Sequence, residues 1–170
     1  MNQPRLLKEN IRLDLLSNVY EYNIVKLAND LRVSKYLNMP YPYCLENAKS
    51  FKENVNIGWK NNTDLVFGIF VDNIFIGTIG LLLVNGDYYC GYWIGYNFNN
   101  KGYTTKALDL ILNWSAYTLN LKNVYAKTYS ENIVSEKVLK KNSFIFIEEL
   151  KETKIVKGVE YKINKWSKQY

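Results

Sequence analysis

The sequence of 170 residues contains no histidine and only two cysteines, Cys44 and Cys90. Without histidine the chain lacks the usual base at neutral pH, the usual activator of a serine nucleophile and the commonest metal ligand. Two cysteines are too few for a disulfide framework or a metal site, and we expect both to be buried in a protein of a reduced compartment. Acid–base chemistry must therefore come from carboxylates, tyrosine, lysine, cysteine or water.

Long apolar runs are also missing. No segment approaches the roughly 18 unbroken apolar residues of a membrane span, and Met1–Asn10 is too polar for a signal peptide. A chain of this length with 48% hydrophobic and 22% charged residues is typical of a globular protein with a single domain, here residues 1–170. We therefore expect a cytoplasmic protein with no membrane partner.

Arginine is scarce, with three residues against 19 lysines, and the formal net charge is +6. The lysines are scattered and the longest basic run is Lys140-Lys141, which favours a solvated surface over a nucleic-acid interface. A mildly positive field would still attract a polyanionic ligand. We expect no nucleic-acid partner.

Alternating apolar residues predict strands joined by short turns. The predicted strands are Leu6–Leu16, Leu65–Val71, Ile74–Val84, Tyr88–Tyr96, Val124–Thr128, Phe144–Leu150, Thr153–Val156 and Tyr161–Asn164. Asp72-Asn73 and Asn85-Gly86-Asp87 are hairpin turns, so the strands beside them should be antiparallel. The last two strands should form a hairpin around Lys157-Gly158.

Helical spacing predicts four helices between these strands. They run from a Ser17 cap to Leu31, over Leu45–Trp59, through Ala107–Trp114 and from an Asn132 cap to Asn142. Because a helix separates Tyr88–Tyr96 from Val124–Thr128, these two strands should be parallel. We expect an α/β fold with a mixed, mostly antiparallel sheet. If the parallel strands diverge, a long thin ligand can bind between them like an extra strand.

The stretch Tyr92–Ala107 joins a strand to a helix through a loop with Lys101 and Gly102. Unpaired backbone N–H groups and the helix dipole make such a junction an anion site. The P-loop pattern and the three-glycine dinucleotide pattern are both absent from it.

Two motifs resemble those of the GNAT N-acetyltransferase superfamily. Asn99–Thr104 is similar to its pyrophosphate loop, Gln/Arg-x-x-Gly-x-Gly/Ala, with Asn99, Asn100 and Thr104 as departures. Asn132–Phe144 resembles its Asn-x-x-Ser-x-x-Val-Leu-x-Lys-x-Gly-Phe signature, with Ser143 in place of glycine. The context is similar to the branch that acetylates the N-termini of ribosomal proteins. The resemblance implies a sheet of about seven strands with a splayed parallel pair that holds acetyl-CoA.

The resemblance also implies the residues that bind the cofactor. They are Trp93 and Ile94 on the strand, then Asn99, Asn100, Lys101, Gly102, Tyr103, Thr104 and Thr105 in the loop and helix start, and Asn132, Ser135 and Lys137 in the second motif. No metal is implied.

Acetyl transfer needs a base for the amine, a donor for the oxyanion and a proton for the leaving thiolate. Many relatives in the superfamily use a tyrosine of the second motif as the acid, but Leu139 occupies that position. Ser135 is then the expected thiolate donor, and a backbone N–H near Ile94 the expected oxyanion donor. Glu149 is the expected base, with Glu152 or a water chain as alternatives.

The resemblance favours a protein N-terminal α-amine as the acetyl acceptor, contacted by Tyr41, Tyr43 and Tyr89. A polyamine, amino acid or antibiotic is the first alternative, and a catalytically degenerate acyl-CoA-binding module is the second. A monomer and a homodimer both remain open.

Overall fold

The computed structural model describes residues 3–170; Met1 and Asn2, the first two residues of the polar stretch Met1–Asn10, lie outside the described residues. The strands are β1 (Leu6–Lys8), β2 (Ile11–Asp14), β3 (Asp64–Val71), β4 (Ile74–Val84), β5 (Asp87–Ile94), β6 (Asn123–Tyr129), β7 (Ile145–Val156) and β8 (Val159–Gln169). The helices are α1 (Glu21–Ala28), α2 (Leu31–Ser34), α3 (Leu45–Asn61), α4 (Tyr103–Thr118) and α5 (Ile133–Lys141).

The eight strands form one sheet in the order β1-β2-β3-β4-β5-β6-β8-β7. Neighbouring strands are antiparallel except for β5 and β6, which confirms the predicted parallel pair. Only two residue pairs join these strands, Tyr89 with Tyr125 and Cys90 with Ala126. Both strands continue past this ladder, to Ile94 and Tyr129. They therefore diverge and leave a V-shaped opening in the sheet.

The centre of the sheet is covered on both faces. Consecutive residues of β3 point to opposite faces, yet Leu65, Val66 and Phe67 are all buried. Trp59 of α3 and Trp114 of α4 pack against Phe67, with ring centroids 5.1 and 5.5 Å away. Burial of each such side chain contributes about 2 kcal/mol to folding. This core fixes β4 and β5, and so one side of the opening.

The amino-terminal segment differs from the sequence expectation in two places. The predicted strand Leu6–Leu16 is broken into β1 and β2 by a turn in which Glu9 has a φ of +54°. The predicted helix from Ser17 to Leu31 is instead α1 and α2, and the side chain of Asp30 caps α2 by accepting a hydrogen bond from the N–H of Arg32 (2.9 Å). The predicted Ser17 cap is wrong, because α1 begins after Tyr20, which makes no side-chain capping hydrogen bond, and the Asp30 cap starts a separate helix.

The carboxy-terminal strands are longer than predicted. Phe144–Leu150 and Thr153–Val156 were expected as separate strands, but β7 runs unbroken for 12 residues beside β8. The β7–β8 pairing contains register shifts, which accommodate residues of β7 that break the alternating apolar pattern. These residues make the strand look interrupted in the sequence. The turn at Lys157-Gly158 is confirmed. The sheet has eight strands, where the resemblance implied about seven.

Among residues 3–170, no helix is long and apolar enough to cross a membrane.

Candidate active site

The loop between β5 and α4 has the backbone of an anion site. Asn100 and Gly102 have φ values of +60° and +78°, a left-handed conformation that asparagine and glycine adopt at low cost. A Cβ atom at Gly102 would meet nothing within 4 Å, so the space beside the loop is open. No side chain of residues 3–170 caps α4. The N–H groups of its first turn, from Tyr103 onward, are therefore available to a ligand.

A cavity of about 210 Å³ lies at this loop. Its lining joins the loop to α5 and comprises Ile94, Phe98, Asn99, Asn100, Gly102, Tyr103, Thr104, Thr105, Val134, Lys137, Val138 and Lys141. Lys137 and Lys141 lie one helical turn apart, so both can direct ammonium groups to the same anion. Lys101 is exposed and lies over the Phe98 ring, 5.9 Å from its centroid. Lys137 and Lys141 of α5 thus line the cavity, whereas Lys101, the lysine predicted in the loop, does not.

A second cavity, of about 440 Å³, continues from the loop into the V-shaped opening. It shares Ile94, Asn99, Thr104, Val134 and Val138 with the first cavity and also includes Trp93. Beyond the two-pair ladder, β5 has no pairing with β6, so its backbone edge is free to bind a ligand. The two cavities form a continuous groove, which we call the cofactor groove.

Asn132 and Ser135 lie together at the end of this groove. The Asn132 side chain caps α5, because its Oδ1 atom accepts a hydrogen bond from the N–H of Ser135 (3.2 Å). The predicted cap is confirmed. The amide nitrogen of Asn132 carries two further donors, and both residues line the groove.

Tyr92 of β5 contacts Ser135. Its hydroxyl oxygen lies 2.9 Å from Ser135 Oγ and 3.2 Å from the Ser135 carbonyl oxygen. Burial raises the pKa of Tyr92 well above its usual value, so this phenol stays protonated. If Tyr92 donates to Ser135 Oγ, the serine proton is free to point into the groove.

A third cavity, of about 450 Å³, lies on the other side of Tyr92 and Ser135; we call it the far chamber. Its lining is Tyr36, Leu37, Cys90, Gly91, Tyr92, Ala126, Lys127, Thr128, Tyr129, Asn132, Ser135, Leu139, Glu152, Thr153, Lys154 and Ile163. It includes no residue of Asn99–Thr104. A ligand in the far chamber therefore meets a ligand in the cofactor groove at Tyr92 and Ser135.

The far chamber offers little basicity. Glu152 is its only carboxylate among the described residues, and Lys127 hydrogen-bonds to it (2.9 Å) and lowers its pKa. Burial raises the pKa of the Cys90 thiol to about 12, so no thiolate is present at neutral pH.

Besides Lys101, four predicted residues line none of these three cavities. Tyr41 is exposed and lies 5.7 Å from the Lys157 ammonium group, measured to its ring centroid. Tyr43 is buried in the core, and Tyr89 packs on Tyr125 with ring centroids 5.5 Å apart. Glu149 is exposed and forms an ion pair with Lys162 (2.9 Å). The structure does not bring these side chains to the site.

Sequence reasoning missed Tyr36, Tyr92 and Lys141. Tyr36 extends across the opening and donates a hydrogen bond to the Glu131 carbonyl oxygen (3.2 Å), a long-range contact without a local signal. Lys141 could have been predicted from the sequence, since it follows Lys137 by four residues on a predicted helix. Tyr92 alternates with Ile94 on β5, but only the position of α5 reveals its partner.

Comparison with known proteins identifies this architecture. Residues 13–145 match the acetyltransferase (GNAT) domain. The chain belongs to the GNAT acetyltransferase family. Protein p20 of Bacillus licheniformis, described as an uncharacterised N-acetyltransferase, is 30% identical over 122 residues, which cover 68% of each chain.

Two solved structures share the fold. RimL, a ribosomal-protein alpha-N-acetyltransferase in complex with coenzyme A, has a TM-score of 0.88 at 18% identity and covers 98% of each chain. MccE, a microcin self-immunity acetyltransferase in complex with acetyl-CoA and AMP, has a TM-score of 0.85 at 23% identity and covers 96% of this chain and 94% of its own.

Family membership makes this GNAT chain an N-acetyltransferase that uses acetyl-CoA. The residues present fit that cofactor. The open space beside Gly102 and the uncapped start of α4 suit phosphates, and Lys137 and Lys141 can balance their charge. The unpaired edge of β5 suits the amide groups of a pantetheine chain.

Proposed function

We propose that this enzyme acetylates the α-amine at the N-terminus of a protein or peptide. The acceptor occupies the far chamber, and the cofactor lies in the cofactor groove. The observation that carries the proposal is the weak basicity of the far chamber, where Glu152 is held by Lys127. An acceptor must then lose its proton without a strong protein base.

The two common classes of protein amine differ sharply in this respect. An α-amine has a pKa of about 7.8 and a lysine side chain one of about 10.4, so at pH 7.5 roughly a third of the first and about 0.1% of the second are neutral. Since only the neutral amine attacks, a site without a base favours α-amines by about two orders of magnitude. The fold shared with RimL agrees with this acceptor class.

The cofactor is assigned to the loop and the opening. The N–H groups at the start of α4 and the α5 lysines bind the pyrophosphate, and the backbone of Trp93 and Ile94 with the Asn132 amide binds the pantetheine chain. When bound, acetyl-CoA supplies an activated acetyl thioester. The phosphate-loop departures Asn99 and Thr104 still line the cavity, which supports a working site.

Ser135 and Tyr92 are assigned to proton supply. Ser135 Oγ donates a proton at the end of the groove, where the thiolate departs. In the proposed arrangement the neutral Tyr92 hydroxyl donates to Ser135 Oγ, so that the serine proton points toward the groove. Tyr92 of β5 thus provides a tyrosine hydroxyl group near the site. Leu139, a buried apolar residue of α5, cannot provide one. A backbone N–H near Ile94 serves the oxyanion.

A small molecule with an α-amine is a second candidate acceptor. Lys157 donates a hydrogen bond to the Ser34 carbonyl oxygen (2.7 Å) and so ties the β7–β8 turn to α2. Lys157 also lies 3.5 Å from the carbonyl oxygen of Leu37, which lines the far chamber, and a turn held at the edge of the chamber favours a compact acceptor. Polyamines fit poorly, because Lys127 and Lys154 line the same chamber.

Thiol release from acetyl-CoA tests the proposal. The panel comprises four acceptors. They are a peptide with a free N-terminus, a blocked peptide whose N-terminus is acetylated and whose only amine is a lysine side chain, a free amino acid, and spermidine. We expect the first peptide to be acetylated fastest and the blocked peptide to be inert. Preference for the blocked peptide or for spermidine would overturn the proposal. Cofactor binding without thiol release for any acceptor would instead indicate a degenerate binding module.

A further inference from the structure

The lysines around the far chamber differ in how they are engaged. Lys127 pairs with Glu152, Lys157 donates to backbone carbonyl groups of Ser34 and Leu37, and the Lys35 ammonium group lies over the Tyr36 ring. Lys154 also lines the chamber, but its side chain forms no ion pair or hydrogen bond within residues 3–170. Its ammonium group is thus available to a ligand.

The charge near Lys154 is positive overall. Glu152 is the only carboxylate in the chamber lining of the described chain, and it lies within the fields of both Lys127 and Lys154, which lower its pKa. Two ammonium groups therefore face one carboxylate, with one unit of positive charge in excess. An acceptor with a carboxylate gains a partner there, whereas one with an additional cation is repelled.

The chamber wall beside this charge is aromatic. Tyr36, Tyr129 and Tyr161 pack on one another with ring centroids 5.0 to 6.1 Å apart, and the first two line the chamber. Such a wall can hold the main chain and aliphatic carbons of an extended peptide. Lys154 lies on β7, which borders this wall through β8. The chamber thus presents an apolar surface with a cation beside it.

We propose that Lys154 selects acceptors that carry an acidic side chain within the first few residues after the amine. This inference rests on the proposed function, since it assigns a peptide to the far chamber. Lys154 acts on acceptor recognition alone. It does not contact the cofactor groove, because that groove contains no residue of β7.

The experiment compares three peptides that start with the same residue and differ only at positions two and three, which are both glutamate, both glutamine or both lysine. Each peptide is assayed for kcat/KM with the parent enzyme and with Lys154→Ala, Lys154→Arg and Lys151→Ala. Lys151 is a matched control, since it is exposed on the same strand and lines none of the three cavities.

We expect the parent enzyme to prefer the glutamate peptide over the glutamine peptide by about fivefold, as for a solvent-accessible ion pair. Lys154→Ala should abolish this preference, Lys154→Arg should retain it, and Lys151→Ala should leave it unchanged. Equal rates for the glutamate and glutamine peptides, or a preference that survives Lys154→Ala, would overturn the inference and leave the proposed function intact. Failure of all three peptides as acceptors would overturn the proposed function and this inference with it.

Discussion

Tyr92 shows how a single hydroxyl group depends on its surroundings. A solvent-exposed tyrosine has a pKa of about 10 and exchanges its hydrogen bonds with water. Here burial raises the pKa of Tyr92, and Ser135 provides both of its hydrogen-bond partners. A group in this setting holds its proton through the working pH range. It is suited to orient a neighbouring donor and not to act as a base.

Tyr92→Phe tests this role. The substitution keeps the ring and removes only the hydroxyl group, so Ser135 Oγ loses its partner. We expect turnover to fall by about tenfold, the effect of one hydrogen bond worth roughly 1.4 kcal/mol, with an unchanged acetyl-CoA dissociation constant. Steady-state kinetics and calorimetric titration provide the two measurements.

Tyr88→Phe is the matched control for this variant. Tyr88 lies on the same strand as Tyr92, its hydroxyl donates to the Asn62 carbonyl oxygen (2.7 Å), and it lines none of the three cavities. Turnover of Tyr88→Phe should equal that of the parent enzyme. Because Tyr92 and Ser135 act as a unit, Tyr92→Phe in a Ser135→Ala background should cause no further loss. A full tenfold loss in that background would contradict the pairing.

Asn132 combines a structural and a binding role that two variants separate. Asn132→Ala removes the cap of α5 and the free amide, so it should lose about 1 kcal/mol of stability and weaken acetyl-CoA binding. Asn132→Ser retains a capping oxygen and removes the amide donors, so it should remain as stable as the parent and still bind more weakly. Urea unfolding and calorimetry measure the two effects. Normal binding by Asn132→Ser would remove the amide from the cofactor site.

The loop before α4 is the element with the clearest match between sequence and structure. Gly102 lies at a φ of +78° in open space, and Asn100 also adopts a positive φ. Both conformations follow from residue types that tolerate them, so the loop was predictable from local chemistry. The partner lysines on α5 depend on how two distant elements pack.

Gly102→Ala tests the loop against a matched glycine. Gly86, in the β4–β5 turn, has a φ of +90° and is equally open. Alanine at either position should cost about 1 kcal/mol of stability, because a side chain is strained at positive φ. Only Gly102→Ala should also raise the dissociation constant for coenzyme A, since its methyl group occupies the space of the ligand. Equal affinity for both variants would place the pyrophosphate elsewhere.

Hairpins were predictable for the same local reason, whereas the longer-range features were not. The turns at Asp72-Asn73 and Asn85-Gly86 have left-handed asparagine, aspartate or glycine residues, as their sequences indicate. The turn at Glu9-Asn10 places its left-handed conformation on Glu9, a residue without such a preference, so Asn10 alone is a weak turn signal. Likewise, the position of Tyr36 over the opening depends on its contact with Glu131, 95 residues away.

The molecule as a whole lacks histidine, so few of its groups titrate between pH 6 and 9. We therefore expect log kcat/KM to rise with a slope of one up to the pKa of the acceptor α-amine, about 8, and then to level off. No decline should follow below about pH 10, because the raised pKa of Tyr92 keeps its proton in place as the pH increases.

Two peptides with α-amines of different pKa distinguish the source of this rise. The break in the pH profile should move with the pKa of the peptide. A break that stays at one pH for both peptides would indicate a base on the enzyme.

Two residue pairs provide all the backbone pairing between strands β1–β5 and strands β6–β8 in the described chain. The sheet therefore consists of two parts, strands β1–β5 and strands β6–β8, joined by a short ladder. A cofactor bound along the opening contacts both parts of the sheet. At a concentration of a hundred times its dissociation constant it raises the free energy of unfolding by about 2.7 kcal/mol. We therefore expect the purified protein to be cleaved more slowly by a protease when acetyl-CoA is in excess, because the bound cofactor makes opening between the two parts of the sheet rarer.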